Sequence, residues 1–197
     1  LSANNIKVSN VKLVDQNAIQ DYTMVQFDLS WDNSWRTNGG PNNWDAAWVF
    51  VKYRIKGFNE WEHATLNYTN GTGSGDGHTE PNFCNISSSD DNSAGGAHGV
   101  HIYSDTVIQP GTVNYNSIKL RWNYGVDGLF DGDSVDIQVY AIEMVYIPKG
   151  NHYLGHPIGS NGPNPFNRSA VYEAQSNPRK AFLIQNENSI DVGSSAG

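Results

Sequence analysis

A period of two dominates the apolar pattern of this chain. Between Tyr22 and Trp31, Val25, Phe27, Leu29 and Trp31 fall on one side of an extended strand, with Gln26, Asp28 and Ser30 on the other. Between Ser117 and Tyr124, the residues Ile118, Leu120, Trp122 and Tyr124 alternate in the same way with Lys119, Arg121 and Asn123. Successive side chains of a strand point to opposite faces, so this spacing gives a half-buried antiparallel strand, whereas a helix would scatter the same residues around its circumference. Two further inward rows are Val49, Val51, Tyr53 and Ile55, with Trp48 and Phe50 on the second face, and Val135, Ile137, Val139 and Ala141.

Two changes of parity carry predictions of their own. Ile6 and Val8 share a face but Val11 and Leu13 have the other parity, which predicts a bulge near Asn10 where the first strand passes from one sheet to the other. After Ala141 the apolar positions shift to Ile142, Met144 and Tyr146, which predicts a kink that takes the strand out of the fold. Shorter strands are expected at 61–66 and 100–104. No segment carries a helical period of any length.

About seven strands between Asn5 and Ile147, separated by Gly, Asn and Asp turns, predict an all-β fold. The expected form is an immunoglobulin- or fibronectin-like antiparallel β-sandwich, with a jelly roll as the rival. The expected division is a sandwich domain over 1–147 and an irregular extension with short strands over 148–197. A long polar run at 67–98 passes the roughly 12–15 residues beyond which loops are uncommon and usually functional or disordered.

Composition narrows the partners. The net charge is −8 with only twelve Lys and Arg, and these are scattered, so the stripe of cations that a phosphate backbone requires is missing and nucleic acid is not an expected partner. No run reaches the roughly 18 apolar residues of a membrane-crossing helix. Cys84 is the single cysteine, so an internal disulfide is excluded. The chain opens Leu1-Ser2-Ala3 and turns at once into a strand, which reads as the start of a mature secreted protein behind a signal segment. An extracellular, cell-surface location is the expectation. Asn67, Asn70, Asn85 and Asn167 each begin an N-x-S/T sequon.

Candidate sites follow from residue type. Trp35 and Trp44 bracket the polar loop between Arg36 and Asn43, and with Trp48 they offer ring surfaces on which the C–H faces of sugars can stack. A protein can equally dock on such a patch, and Trp31 belongs to the inward row. Asp127, Asp131 and Asp133 lie on a Gly-rich turn with the oxygen ligands that calcium takes, yet the EF-hand spacing is absent and a plain Asp-Gly hairpin turn between two strands explains the same residues. His98 and His101 are three apart, on opposite faces if both lie in one strand, and solvated histidines are expected. No nucleophile-elbow or comparable catalytic pattern occurs.

The strings VQFDLSWDNSWR (Val25–Arg36), NNWDAAWVFVKYR (Asn42–Arg54) and LRWNYG (Leu120–Gly125) resemble the N-terminal β-domain of secreted bacterial proteins in which a formylglycine-generating-enzyme-like domain follows. EMVYIPKGNHYLG (Glu143–Gly155) is similar to the opening strand of that second domain, and PRKAFLIQNENSIDVG (Pro178–Gly193) to its next strands. The resemblance implies a bacterial surface protein. It carries over no catalytic residue, because the two copper-binding cysteines of those enzymes lie late in their domain and nothing here matches them.

The function expected is a non-catalytic structural or adhesion module that assembles into a surface structure or filament. Phe182, Leu183, Ile184, Ile190 and Val192 would supply strands to another subunit, since a short apolar strand behind a linker can add to an exposed sheet edge. The alternatives are a carbohydrate-binding accessory domain and the leading piece of a formylglycine-generating-like enzyme.

Overall fold

The computed structural model describes residues 5–39, 43–88, 96–145, 152–154 and 182–184. The chain divides into two compact units, Leu1–Ile147 and Pro148–Gly197. The described residues of the first form eight strands and no helix: β1 (Lys7–Asn17), β2 (Tyr22–Arg36), β3 (Asp45–Ile55), β4 (Glu62–His63), β5 (Cys84–Ser88), β6 (Val100–Ser104), β7 (Ile108–Trp122) and β8 (Val135–Val145). In the second, β9 (His152–Leu154) pairs antiparallel with β10 (Phe182–Ile184). The Ile190–Val192 run lies outside the described residues.

The first unit is an antiparallel β-sandwich. One sheet runs β1-β2-β7. In the other, β3 is central, with β8 along one side and β4 and β6 along the other, β6 pairing onward with β5. The alternating rows become the core as their period requires. Val25, Phe27, Leu29 and Trp31 of β2 and Ile118, Leu120 and Trp122 of β7 are all at most 1% exposed. They pack against Ala47, Val49, Val51 and Tyr53 of β3 and Val100 and Ile102 of β6. Each such aliphatic or Phe side chain contributes about 1.5–3 kcal/mol by leaving water.

One buried carboxylate ties the sheets together. Asp45, at the start of β3, is 1% exposed, and its oxygens accept from Trp31 Nε1 (2.5 Å), Ser34 Oγ (2.8 Å) and the Trp35 N–H (3.0 Å), all on β2. A second acid holds the pleat of the first sheet. Asp28 accepts from Asn10 Nδ2 on β1 (2.6 Å) and from the Ser117 N–H on β7 (2.7 Å), where both neighbours have positive φ and the ladder register shifts. Those two bonds, against a small burial penalty, hold its carboxyl below the usual carboxylate range.

Several expectations need correction. The bulge at Asn10 is present, but β1 stays with β2 throughout and does not cross between sheets. The strand does not kink after Ala141: β8 pairs with β3 residue by residue from Val135↔Ile55 to Val145↔Asp45 with no shift. Ile142 and Met144 therefore keep their places on the outer face of the same strand. The segment 61–66 yields only the two-residue β4, with Leu66 making isolated bridges to Ala97 and Trp122. The polar run contains a strand, β5, whose apolar residues are only Cys84 and Ile86. The Asp-Gly segment is not a hairpin turn, because β7 and β8 belong to different sheets and the connection crosses between them.

Candidate functional site

The two outer faces of the sandwich differ in chemistry. On the β1-β2-β7 sheet the outer residues are polar and bonded to one another: Asp32 accepts from Asn5 and Thr112, and Lys119 meets Asp15 at 2.5 Å. On the other sheet they are largely aromatic. Trp48 and Phe50 share the even-numbered face of β3, Trp44 lies just ahead of that strand with its ring 6.3 Å from that of Tyr103, and the register sets Trp48 beside Ile142 and His101, and Phe50 beside Tyr140. Phe50 and Tyr140 stack at 5.1 Å with an 11° interplanar angle, Trp48 and His101 lie 4.6 Å apart, and His63 and His98 extend the row at 5.7 Å. The Arg36 guanidinium lies over Trp44 at 5.2 Å and over Tyr103 at 5.4 Å. Gly99 makes room for this: a Cβ there would fall 2.5 Å from the Trp48 ring.

Of the three tryptophans singled out by sequence, Trp44 packs near Tyr103 and Trp48 near His101, both on β6. Trp35 is half-buried at the end of β2, and its N–H is committed to Asp45. Alternation did not reveal the partners Phe50, Tyr140 and His101 as one surface, since strand order had to be known first. His101 is not simply solvated, for burial lowers its pKa, and burial followed by the charges of Lys52 and His98 does the same for His63.

The acids Asp127, Asp131 and Asp133 are occupied separately. Asp127 accepts from the Thr65 N–H (3.0 Å), Thr65 Oγ (2.5 Å) and Trp122 Nε1 (2.6 Å). Asp131 accepts from Tyr124 OH at 2.5 Å, and Asp133 from the Phe130 N–H at 2.8 Å. Among the described residues no group of three His, Cys, Asp or Glu side chains is placed to hold a metal ion. Asp131 and Asp133 do line one cavity of about 320 Å³, with Leu13, Trp122, Leu129 and Val135, between the end of β1 and the β7–β8 crossover. A carboxylate that already serves two donors on Thr65 and one on Trp122 is a structural tie. Asp127→Asn is expected to lower stability by about 1–3 kcal/mol, while calcium or a chelator leaves the melting temperature of the wild-type chain unchanged. A calcium-dependent rise in that temperature would restore Asp127 as a ligand.

Sequence reading also missed a buried Asp-His-Ser group. Asp76, His78 and Ser88 are 0%, 6% and 6% exposed. Asp76 Oδ1 gathers the N–H groups of Thr69, Asn70 and Gly71, which outweigh the effect of burial and keep its pKa low. His78 Nδ1 accepts the Arg121 N–H (3.0 Å), so the proton of the neutral ring is on Nε2, 3.3 Å from Ser88 Oγ. A ring wired this way donates to the serine and has no lone pair with which to take its proton, the reverse of nucleophile activation. Its role is to anchor the loop between β4 and β5. Cys84 is 4% exposed, and burial, then Glu80 and Asp105, push its thiol up to about 12, far from the reactive range.

The sheet edges are the other place where chemistry is available; among the described residues β4 is only two residues long, and β1, β7 and β5 are protected. β1 is bulged twice and carries Lys7 and Lys12. The Lys119–Trp122 end of β7 is covered by residues 65–79: Asn67 N–H bonds to Arg121 O, Thr79 exchanges bonds with Lys119 both ways, and Asn123 N–H reaches Thr65 O; Pro110 lies further along the strand. β5 is five residues long, and its Ile86 is met by the Gly73 N–H and Glu80 Oε1. β8 has no bulge and, among the described residues, no covering segment; its charges are Asp136 and, at the inward parity opposite Ala47, Glu143. It is eleven residues long, straight, and free of Lys and Pro, and among the described residues no strand pairs with its outer edge. Tyr140, Ile142, Met144 and Val145 are 41–51% exposed, and the inward Val135, Ile137, Val139 and Ala141 are only half-buried. Ile6, Val8 and Val11 on β1 are partly buried core neighbours in the same way.

Comparison with known proteins finds no family model that matches the chain, no curated protein similar to it and no solved structure similar to it.

Proposed function

We propose that the chain is a non-catalytic structural module of an extracellular surface assembly, joining protein subunits by strand addition at β8. The observation that supports this reading is the edge itself. An exposed row of N–H and C=O groups on a long, flat, apolar strand is a template for another strand, and proteins that must stay monomeric blunt it with lysine, proline, bulges or a covering loop. Here bulges, lysines or covering segments sit on β1, β7 and β5, while β8 carries the acids Asp136 and Glu143. An added strand would hydrogen-bond β8 and carry apolar side chains into the space beside Val135, Ile137 and Val139, the usual division of labour in strand addition.

A carbohydrate-binding role for Trp44 and Trp48 ranks behind it. Phe50 and Tyr140 lie flat against each other on adjacent strands, so each ring covers a face of the other and less flat surface is left for a sugar.

Val139→Lys tests the reading. A lysine in the half-buried row of an edge strand is tolerated, because its stem packs while the charge reaches water, but it meets any strand added alongside. The expected result, by light scattering at matched concentration, is a wild-type species larger than the monomer and a monomeric variant with an unchanged near-ultraviolet spectrum. A variant that assembles as wild type does overturns the proposal.

A further inference from the structure

We infer that the cavity between the end of β1 and the β7–β8 crossover binds a small organic cation, an ammonium group carried on an apolar body. The inference does not rest on assembly at the β8 edge. At about 320 Å³ the cavity has the volume of a small ligand pocket. Trp122 and Leu129 are buried side chains at its deep end, and Leu13 and Val135 continue the apolar lining. Three carboxylates, Asp15, Asp131 and Asp133, line the same space, while among the described residues no Lys, Arg or His does. An apolar interior with acids and no cation repels an anion and suits a molecule apolar at one end and positive at the other.

The state of each acid narrows the guest further. Lys119 meets Asp15 at 2.5 Å, so that charge is already balanced. Asp131 Oδ1 accepts from Tyr124 OH and Asp133 Oδ2 from the Phe130 N–H, which leaves one oxygen on each without a donor among the described residues. A metal ion draws several oxygens onto one point, yet among the described residues no three His, Cys, Asp or Glu side chains are placed to hold one. Acids that share a cavity without sharing an ion fit the N–H groups of an ammonium, each of which needs one acceptor. Phe130 adds a ring at the same site, 79% exposed, a large apolar surface left in water. An ammonium is drawn to the face of an aromatic ring. The second bulge of β1, with Asp15 at φ 53°, lies beside Gln16. Gln16 Nε2 donates to Tyr124 OH and to Asp131 O, at 3.3 Å each, and so ties the two sides of the cavity together before a ligand arrives. Preformed walls lower the ordering cost of binding.

Equilibrium dialysis of the full chain against phenethylamine tests this, because it reads binding in a monomer and in an assembly alike. The comparison ligand 3-phenylpropanoate reverses the charge on a similar body, and calcium chloride is the competitor. The expected result is saturable binding of phenethylamine at one site per chain, weakened by salt. No binding of 3-phenylpropanoate is expected, and no displacement by calcium beyond that of sodium at equal ionic strength. Asp131→Asn with Asp133→Asn keeps both hydrogen-bond acceptors and is expected to weaken binding about tenfold. Phe130→Ala, at an exposed side chain outside the core, is expected to weaken it about threefold. Glu60→Gln with Glu62→Gln changes the net charge as much as the first pair does, at residues that do not line the cavity, and is expected to bind as wild type does. Absence of saturable phenethylamine binding, or unchanged binding in the Asp131–Asp133 pair, overturns the inference. Equal binding of 3-phenylpropanoate, or an equal loss in the two acid pairs, overturns it in favour of apolar or general charge attraction. Specific displacement by calcium overturns it in favour of a metal site.

Discussion

Asp45→Ala is expected to lower the unfolding free energy by about 3–5 kcal/mol, as when one partner of a buried charged contact is removed and the other is left behind. Three donors lose their acceptor at once: Trp31 Nε1, Ser34 Oγ and the Trp35 N–H. Trp31 and Ser34 are at most 1% exposed, so water does not replace the carboxylate without opening the sandwich. At roughly 2–4 °C per kcal/mol for a chain of this size, the midpoint falls by about 6–20 °C. Asp45→Asn is expected to cost less, because it keeps one accepting oxygen while turning an amide N–H₂ toward the remaining donors. Chemical denaturation of wild type, Asp45→Ala and Asp45→Asn measures both. A loss below about 1 kcal/mol in the alanine variant would show that the carboxylate does not tie the sheets.

The second large effect is a dependence on pH centred on His78. Burial, offset in part by Asp76 and reinforced by Arg121, lowers its pKa from 6.5 to about 4. In the unfolded chain the same ring titrates near its ordinary value. Above about pH 6.5 both states are neutral and the full stability is present. Between about pH 6.5 and 4 the unfolded chain binds a proton that the folded chain refuses, so stability falls as the pH falls. At about 1.4 kcal/mol per unit, the loss over that window is roughly 3 kcal/mol. His63 and His101 are shifted in the same direction and add to the slope with the same sign. Asp76 has a lowered pKa, so its contribution is present above the ordinary carboxylate range and is lost only at more acid pH. Urea unfolding at pH 7.5, 5.5 and 4.5 should give this decline in the wild type and a flatter one in His78→Gln, itself less stable at pH 7.5. Equal slopes in the two proteins would mean that His78 is protonated in the folded chain.

These two residues mark the boundary between what alternation reveals and what it hides. His78 sits in polar surroundings and no period points to it; Asp45 shares the inward parity of Val49, Val51 and Tyr53, but an acid at the start of a strand gives no local sign of burial. Asp45 is buried because β2 and β3, on different sheets, bring an indole N–H and a hydroxyl to the same point. His78 is buried because the run after β4 folds onto β7, taking hydrogen bonds from Lys119 and Arg121 along its edge.

By itself the sequence determined the all-β class, the faces of β2, β3 and β7, and the core that they form, because the side-chain period of a strand and the hydrophobic effect act locally and leave their mark on neighbouring letters. It also placed a bulge at Asn10, where parity breaks. Only the tertiary structure decided that β8 runs straight to Val145. The apparent break at Ala141 is the point where the outer face of an edge strand also turns apolar, and a one-dimensional pattern cannot separate that from a kink. Strand order, likewise, is set by which backbone edges meet across long stretches of chain. That order gathered Trp44, Trp48, Phe50 and Tyr140 into one face, sent Asp127, Asp131 and Asp133 to separate tasks, and left the outer edge of β8 unpaired among the described residues.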